Sequence, residues 1–169
     1  MKFILIILTV LCFQKIILAQ SEIMNGITGS LFNDLNAKED AWVGIGYQGR
    51  IVFLKNDHGS LTLGTRPSVG LQIFSFDNRH IGIDVPLTVD ANWGAGSSIF
   101  NIRDIGLFLG TGVEYNWIKD FSSIYGPVIY TGLRYFSSFG LNEINFSYMI
   151  DVGDAKTRYI TIGTAFIFD

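Results

Sequence analysis

The sequence has little charge and almost no cysteine. Only 16% of its 169 residues are charged, whereas a soluble domain carries about 25% charged residues. The single cysteine, Cys12, lies in an N-terminal segment that we predict to be removed. The mature chain then forms neither a disulfide nor a thiolate metal site. The net charge is −3, and the basic surface that a nucleic-acid partner requires is absent from the sequence.

Long hydrophobic runs are also missing beyond the N-terminus. No later apolar run approaches the ~18 residues of a transmembrane helix, although 49% of the residues are hydrophobic. The apolar residues are instead interleaved with Asn, Thr, Ser and many of the 19 glycines. A membrane β-barrel distributes its hydrophobic residues in this way. The length of the chain predicts one domain.

The N-terminal 19 residues predict a secretory signal peptide. Lys2 supplies the positive start, Phe3–Phe13 the apolar core, and Ala19 the small residue before the cleavage site. Lys15 interrupts the apolar run too early for a full membrane span. We therefore expect a mature chain that begins at Gln20 and forms a single domain over residues 20–169.

The stretch Ile105–Trp117 shows a pattern that recurs along the mature chain. Its odd positions are apolar apart from Thr111, and its even positions are Gly, Asn, Glu and one Phe. A period of two is the signature of a β-strand. Ordinary strands have about 5–6 residues, whereas a tilted strand across a bilayer needs roughly 9–11. The length of this stretch therefore indicates a membrane-crossing strand.

Seven stretches carry this alternation clearly, and an eighth, Ile23–Phe32, carries it weakly. The seven are Trp42–Leu54, Leu61–Phe76, His80–Trp93, Ile105–Trp117, Tyr125–Phe136, Leu141–Asp151 and Arg158–Phe168. Single-chain bacterial barrels have even numbers of strands. We therefore predict an all-β fold, an antiparallel up-and-down transmembrane β-barrel of eight strands. Pro67 interrupts the third strand, where its missing N–H predicts either a bulge or a break.

The residues of the polar face favour a membrane barrel over a soluble lipocalin-like barrel or sandwich. A water-facing surface would collect Lys and Glu, but this face holds mainly Gly, Thr, Asn and Ser. Small residues suit the narrow interior of an eight-stranded barrel, which leaves the apolar face for lipid. Four aromatics fall near strand ends, where such rings lie at the membrane interface. We predict these interface aromatics to be Trp42, Trp93, Tyr115 and Trp117.

A set of charged residues falls on the same inward face. They are Arg50, Arg66, Asp84, Asp90, Glu114, Arg134, Glu143 and Asp151. Unpaired charges inside a narrow barrel are costly, so these side chains should pair or be hydrated. We interpret them as a structural charge network that fills the lumen. The alternative is a polar path or gate for small solutes.

The leader, the long alternating strands, the Gly-rich inward faces and the short turns together resemble a known class. They resemble the small outer-membrane barrels of Gram-negative bacteria, the OmpA-like and Ail-like group. The last strand, Arg158–Phe168, is rich in aromatics and resembles the assembly signal of such barrels. The resemblance implies a location in the outer membrane, contact with its lipid, and recognition by the barrel assembly machinery. We also expect a monomer.

Signals for a catalytic or cofactor site are weak. Gly44–Gly49 matches G-x-G-x-x-G, but a dinucleotide site needs a helix after the motif, and strand residues follow here. His58 and His80 are the candidates for a lipid hydrolase or acyltransferase. His80 and Asp84 are roughly 13 Å apart along a strand, so they cannot pair directly. Two histidines without cysteine give little support to a metal site.

We therefore predict a non-enzymatic barrel with a structural or surface-interaction role, and with neither cofactor nor metal. Two alternatives stay open at this point. The first is a narrow channel or a barrel that binds lipid or a small molecule. The second is an outer-membrane lipid hydrolase or acyltransferase.

Overall fold

The computed structural model describes residues 22–35, 41–73, 80–98, 103–118, 123–153 and 157–168. The predicted leader, the predicted mature start at Gln20 and the C-terminal Asp169 lie outside the described residues, as does the end of the predicted third strand at Phe76. No helix in the described part is long and apolar enough to cross a membrane.

The described chain is built from long strands. They are β1 Glu22–Asp34, β2 Ala41–Lys55, β3 Gly59–Thr65, β4 Ser68–Gln72, β5 Ile81–Gly94, β6 Ile105–Ile118, β7 Ile124–Ser137, β8 Gly140–Ile150 and β9 Arg158–Phe168. All except β3 and β4 have 11 to 15 residues, enough for a tilted strand to cross a bilayer. The weakly patterned N-terminal stretch is β1, so the predicted first strand is confirmed.

The strands close into an antiparallel barrel. β9 pairs with β1, for example Phe168 with Asn25, and β1 pairs with β2. β3 and β4 are two halves of one barrel strand, because both pair with β2 on one side and with β5 on the other. The barrel therefore has eight strands, as predicted. Closure leaves no unpaired edge, which lipid would penalise by several kcal/mol for each exposed backbone group.

Pro67 breaks the third barrel strand without shifting its register. β2 pairs with β3 through Gly49 and Thr65, and with β4 through Gly46 and Ser68. The two strands therefore advance by the same number of residues across the break, whereas a bulge would insert an extra residue on one side. Of the two predicted outcomes, the break is the one observed.

Alternation along the strands gives the barrel an apolar outer wall. Inward positions are buried and outward positions are exposed, with Ile45 69% and Val113 60% exposed. Other exposed outward residues include Ile23, Ile27, Leu31, Val43, Ile51, Leu63, Val69, Leu71, Ile83, Val85, Leu87, Val89, Leu107, Leu109, Ile129, Leu133, Ile144, Phe146 and Ile162. Soluble monomers rarely expose contiguous apolar patches beyond a few hundred Å², so this wall is suited to lipid.

Both described chain ends lie at one end of the barrel, here called the terminal end; the opposite end is the distal end. A buried apolar cluster fills the terminal end: Met24, Val52, Ala95, Leu141, Ala165 and Ile167. A second apolar cluster lies in the distal half: Ile124, Val128, Met149 and Tyr159, with Ile118 packed against it.

Candidate functional site

The eight predicted lumen charges all face inward. Each of them is at most 7% exposed. The structure brings five of them into one cluster, which we call the arginine cluster: Arg50, Arg66, Asp90, Arg134 and Glu143. Asp84 and Glu114 form a separate pair, and Asp151 lies at the distal end. The sequence pattern placed these residues inside but could not divide them in this way.

Glu143 is the centre of the arginine cluster. Arg134 Nε donates to Glu143 Oε2 at 2.7 Å, and the two residues are direct cross-strand partners on β7 and β8. Arg50 Nη1 lies 3.8 Å from Glu143 Oε2, and Arg66 Nε lies 3.7 Å from Oε1. The Tyr130 hydroxyl donates to Oε1 at 2.7 Å. One carboxylate thus contacts three guanidinium groups in a buried part of the lumen.

Aromatic rings fill the rest of the arginine cluster. Tyr130 and Phe108 stack with their ring centroids 5.0 Å apart. The Arg66 guanidinium lies 3.6 Å from the Tyr130 centroid, and that of Arg134 lies 4.1 Å from the Phe108 centroid. Arg66 Nη2 also approaches Asp90 Oδ2 at 3.4 Å. Cation–π contact supplements the two carboxylates, and both rings are buried inside the lumen.

Sequence reasoning missed several members of this cluster. Besides Phe108 and Tyr130, Asn92 accepts a hydrogen bond from Arg134 Nη1 at 2.6 Å, and Gln48 accepts one from Arg66 Nε at 3.2 Å. All four occupy even positions, which face inward on these strands. The alternation was therefore the signal that could have found them.

Asp84 and Glu114 form a second polar group in the distal half. Their carboxyl groups lie close enough on neighbouring strands to interact with each other. Asn116 Nδ2 also donates to Glu114 Oε1 at 3.0 Å. Among the described residues, no salt bridge reaches either carboxyl. Both side chains border a cavity of about 30 Å³.

Asp151 stabilises a chain connection and lies apart from the other lumen charges. Its Oδ1 accepts hydrogen bonds from the backbone N–H groups of Tyr125, at 3.2 Å, and Gly153, at 3.0 Å. Asp151 therefore fixes the chain where β8 ends. Asp151 is buried like the other predicted lumen charges, but its hydrogen bonds go to backbone N–H groups and not to those charged side chains.

Of the four predicted interface aromatics, three lie on the outer wall and one lies inside the barrel. Trp93, Tyr115 and Trp117 lie on the outer wall, and their membrane-interface role stays a prediction. Trp42 corrects the prediction, because it is only 4% exposed. It occupies an even position of β2, which faces inward, and its ring packs where Gly82 has no side chain.

The structure does not bring the candidate catalytic residues together. His58 lies in the connection between β2 and β3 at the terminal end, whereas His80 precedes β5 at the distal end. Asp84 faces the lumen. The Gly44–Gly49 motif lies within β2. In the part of the chain that the structure describes, no group of three or more His, Cys, Asp or Glu could hold a metal ion.

A closed eight-stranded antiparallel barrel with an apolar wall and a charged lumen has the fold of the small outer-membrane β-barrels. Ail, the attachment invasion locus protein of Yersinia pestis, is similar with a TM-score of 0.55 at 12% identity, over 88% of this chain and 97% of that one. Ail in complex with the heparin analogue sucrose octasulfate gives a TM-score of 0.57 at 14% identity over the same shares.

Neisserial surface protein A is similar with a TM-score of 0.53 at 9% identity, over 87% of this chain and 96% of that protein. No family model matches the chain, and a search of curated proteins found no match. At these identities the likeness shows the fold, and it confirms the predicted Ail-like barrel architecture.

Proposed function

We propose that this protein is a monomeric, non-enzymatic barrel of the bacterial outer membrane with a structural or surface-interaction role. The observation that carries the proposal is the filled lumen inside an apolar wall. Arginine, aromatic and carboxylate side chains cross the middle of the lumen, and an apolar cluster closes its terminal end. Such an interior stabilises the barrel and leaves the two ends and the wall for contacts.

The apolar wall supports the proposed location. Its exposed aliphatic rows would bury their surface in hydrocarbon, at about 25 cal/mol for each Å². The aromatic outward face of β9, where the rings of Phe166 and Phe168 lie 6.5 Å apart, supports recognition of this strand by the assembly machinery. Secretion by a cleaved leader over residues 1–19 belongs to the same proposal.

The surface-interaction role draws on the fold likeness to Ail. That protein carries attachment and invasion in its name, and its structure has been determined with a heparin analogue. We extend only the general idea to this chain, that the ends of a rigid barrel present a surface to a partner. The partner would meet the distal end if the termini lie on the periplasmic side.

The first experiment tests the barrel in the outer membrane. Unboiled protein from outer-membrane fractions should migrate faster on a denaturing gel than boiled protein, because a closed barrel resists the detergent. The proposal requires this difference in the outer-membrane fraction. Equal migration of both samples, or recovery of the folded protein without detergent, would contradict it.

A narrow channel is the second candidate, because polar side chains do run through the lumen. A filled cross-section predicts no steady single-channel conductance when refolded protein is inserted into planar bilayers. The protein is delivered by fusing vesicles with the bilayer, and the heat-dependent gel shift of protein from the same vesicle batch verifies that it is folded. Reproducible open steps would instead favour the channel.

The enzymatic alternative makes a separate prediction. Cells that express the wild-type chain, His80→Ala or His58→Ala should have the same acyl composition of their outer-membrane lipids. Mass spectrometry of extracted lipid measures this composition. A lipid modification that depends on the wild-type protein and disappears in His80→Ala would overturn the non-enzymatic proposal.

A further inference from the structure

Asp84 and Glu114 add two carboxyl groups to the distal half of the lumen, and among the described residues no arginine forms a salt bridge with either of them. We propose that Asp84 and Glu114 bind one hard cation, Na⁺ or Ca²⁺, together with hydroxyl oxygens of the lumen. The site lies in the 30 Å³ cavity between the arginine cluster and the distal end. It would make the folded barrel depend on a cation that the proposed surface role does not require.

The balance of charges in the lumen favours a bound cation. Apart from Asp151, the predicted lumen charges comprise three guanidinium groups and four carboxyl groups: Arg50, Arg66, Arg134, Asp84, Asp90, Glu114 and Glu143. The salt bridges of all three arginines go to Asp90 and Glu143. When every group is ionised, one negative charge remains, and it lies with the carboxyl pair. Burying an unpaired charge is strongly unfavourable.

The position of Asp84 and Glu114 also favours a bound cation. Asp84 on β5 and Glu114 on β6 come from neighbouring strands, where Asp84 is opposite Asn116 and Glu114 is opposite Pro86. The two carboxyl groups are thus diagonal neighbours on the inward face and reach each other. Two carboxylates so close together repel, and a cation between them would turn this repulsion into attraction.

Buried oxygen atoms without a hydrogen-bond partner belong to residues that line the cavity. Asp84 Oδ1, Ser68 Oγ and Thr88 Oγ1 have no hydrogen-bond partner among the described residues. Their residues are 7%, 4% and 1% exposed and line this cavity. Buried polar atoms in native proteins are almost always satisfied, and a bound ion is one explanation for an exception. Carboxylate and hydroxyl oxygens are ligands for hard cations.

The size of the cavity suits a single ion. A cavity needs roughly 10–15 Å³ of this measure to hold one water molecule. The cavity therefore accommodates one ion with one water molecule, and it excludes an organic cation. A proton shared by the two carboxyls would balance the charge, but it would leave the hydroxyl groups of Ser68 and Thr88 without a partner.

The experiment measures urea unfolding of the full barrel, refolded into neutral detergent micelles, at constant pH and ionic strength. The three salts are choline chloride, NaCl and CaCl₂. The proposal predicts that the unfolding midpoint rises by roughly 1 M urea at cation concentrations near 100 times Kd. Which of the two salts produces the rise identifies the cation, since choline is too large to enter.

Two variants make the result specific. Glu114→Gln keeps the shape but removes one charge, so its midpoint should not respond to the cation and should exceed that of the wild type in choline chloride. Asp151→Asn removes a buried carboxylate outside the cavity and should keep the full response. The comparison does not depend on the variants having equal stability, because each serves as its own reference across the salts.

Two results would overturn the proposal. The first is a wild-type midpoint that is the same in all three salts; if it also rises on acidification in choline chloride, a proton closes the pair in place of a cation. The second is a Glu114→Gln variant that responds like the wild type.

Discussion

Glu143 contacts side chains from several strands of the barrel. It is 1% exposed, lies opposite Arg134 on the neighbouring strand, and accepts contacts from Arg50, Arg66 and Tyr130. Buried charges are tolerated when they are paired and hydrogen-bonded, and removing one partner leaves the others uncompensated. At this position a single substitution would leave three arginines with one carboxylate.

We predict that Glu143→Gln lowers the free energy of unfolding by about 3–5 kcal/mol, the usual cost of breaking a buried ion pair. Urea unfolding in detergent micelles measures the change. Asp104→Asn is the control, because Asp104 is an exposed carboxylate in the connection before β6. A Glu143→Gln barrel as stable as the control would show that the arginine cluster does not stabilise the fold.

Trp42 shows that residue type is a weaker guide to side-chain orientation than position within the alternation. Its indole near a strand end favoured a membrane-interface position, yet it is buried. Trp93, Tyr115 and Trp117 carry odd numbers and face outward, whereas Trp42 carries an even number on β2 and faces inward. Position within the alternation therefore decides orientation more strongly than residue type does, since a one-residue shift reverses the face.

At the scale of elements, β1 was the hardest strand to predict. Its outward row includes Asn25 and Gly29 between aliphatic residues, which weakens the alternation. The structure supplies the reason, because the Tyr47 hydroxyl on β2 donates to Asn25 Oδ1 across the strand pair. A polar residue on the wall is satisfied by a neighbour more than twenty positions away, and no local pattern could reveal that partner.

The break at Pro67 leads to a prediction about the third barrel strand. Tyr47 N donates to the Pro67 carbonyl at 3.0 Å, but proline has no N–H to return a bond to Tyr47. Pro67→Val should restore this donor and join β3 to β4, because the register is continuous across the break. In hydrogen exchange, the new amide at position 67 should be as protected as that of Val69.

Rapid exchange at position 67, with Val69 still protected, would contradict this account of the break. Pro67→Ala is the matched variant. It restores the same donor without a β-branched side chain, so equal protection in the two variants would assign the effect to the hydrogen bond.

At the scale of the whole molecule, the number of strands and the face on which each side chain lies could be predicted from the sequence. The contacts between side chains inside the lumen could not. Strand length and alternation were sufficient for the barrel, because lipid requires closure and an apolar wall. The partners inside depend on register and tilt across several strands. Phe108 and Tyr130 are 22 positions apart and stack only because their strands are neighbours. The division of the charges into two groups has the same origin.

The orientation of the wall is the central claim, and lipid quenching tests it most directly. The only cysteine of the chain lies in the predicted leader, so single cysteines on β5 of the mature barrel can carry a fluorophore. Labels at Val85, Leu87 and Val89 should be quenched by lipids with spin labels in mid-chain, whereas positions Thr88 and Asn92 should resist labelling or quenching. Equal quenching at both sets of positions, or a reversed alternation, would contradict the account.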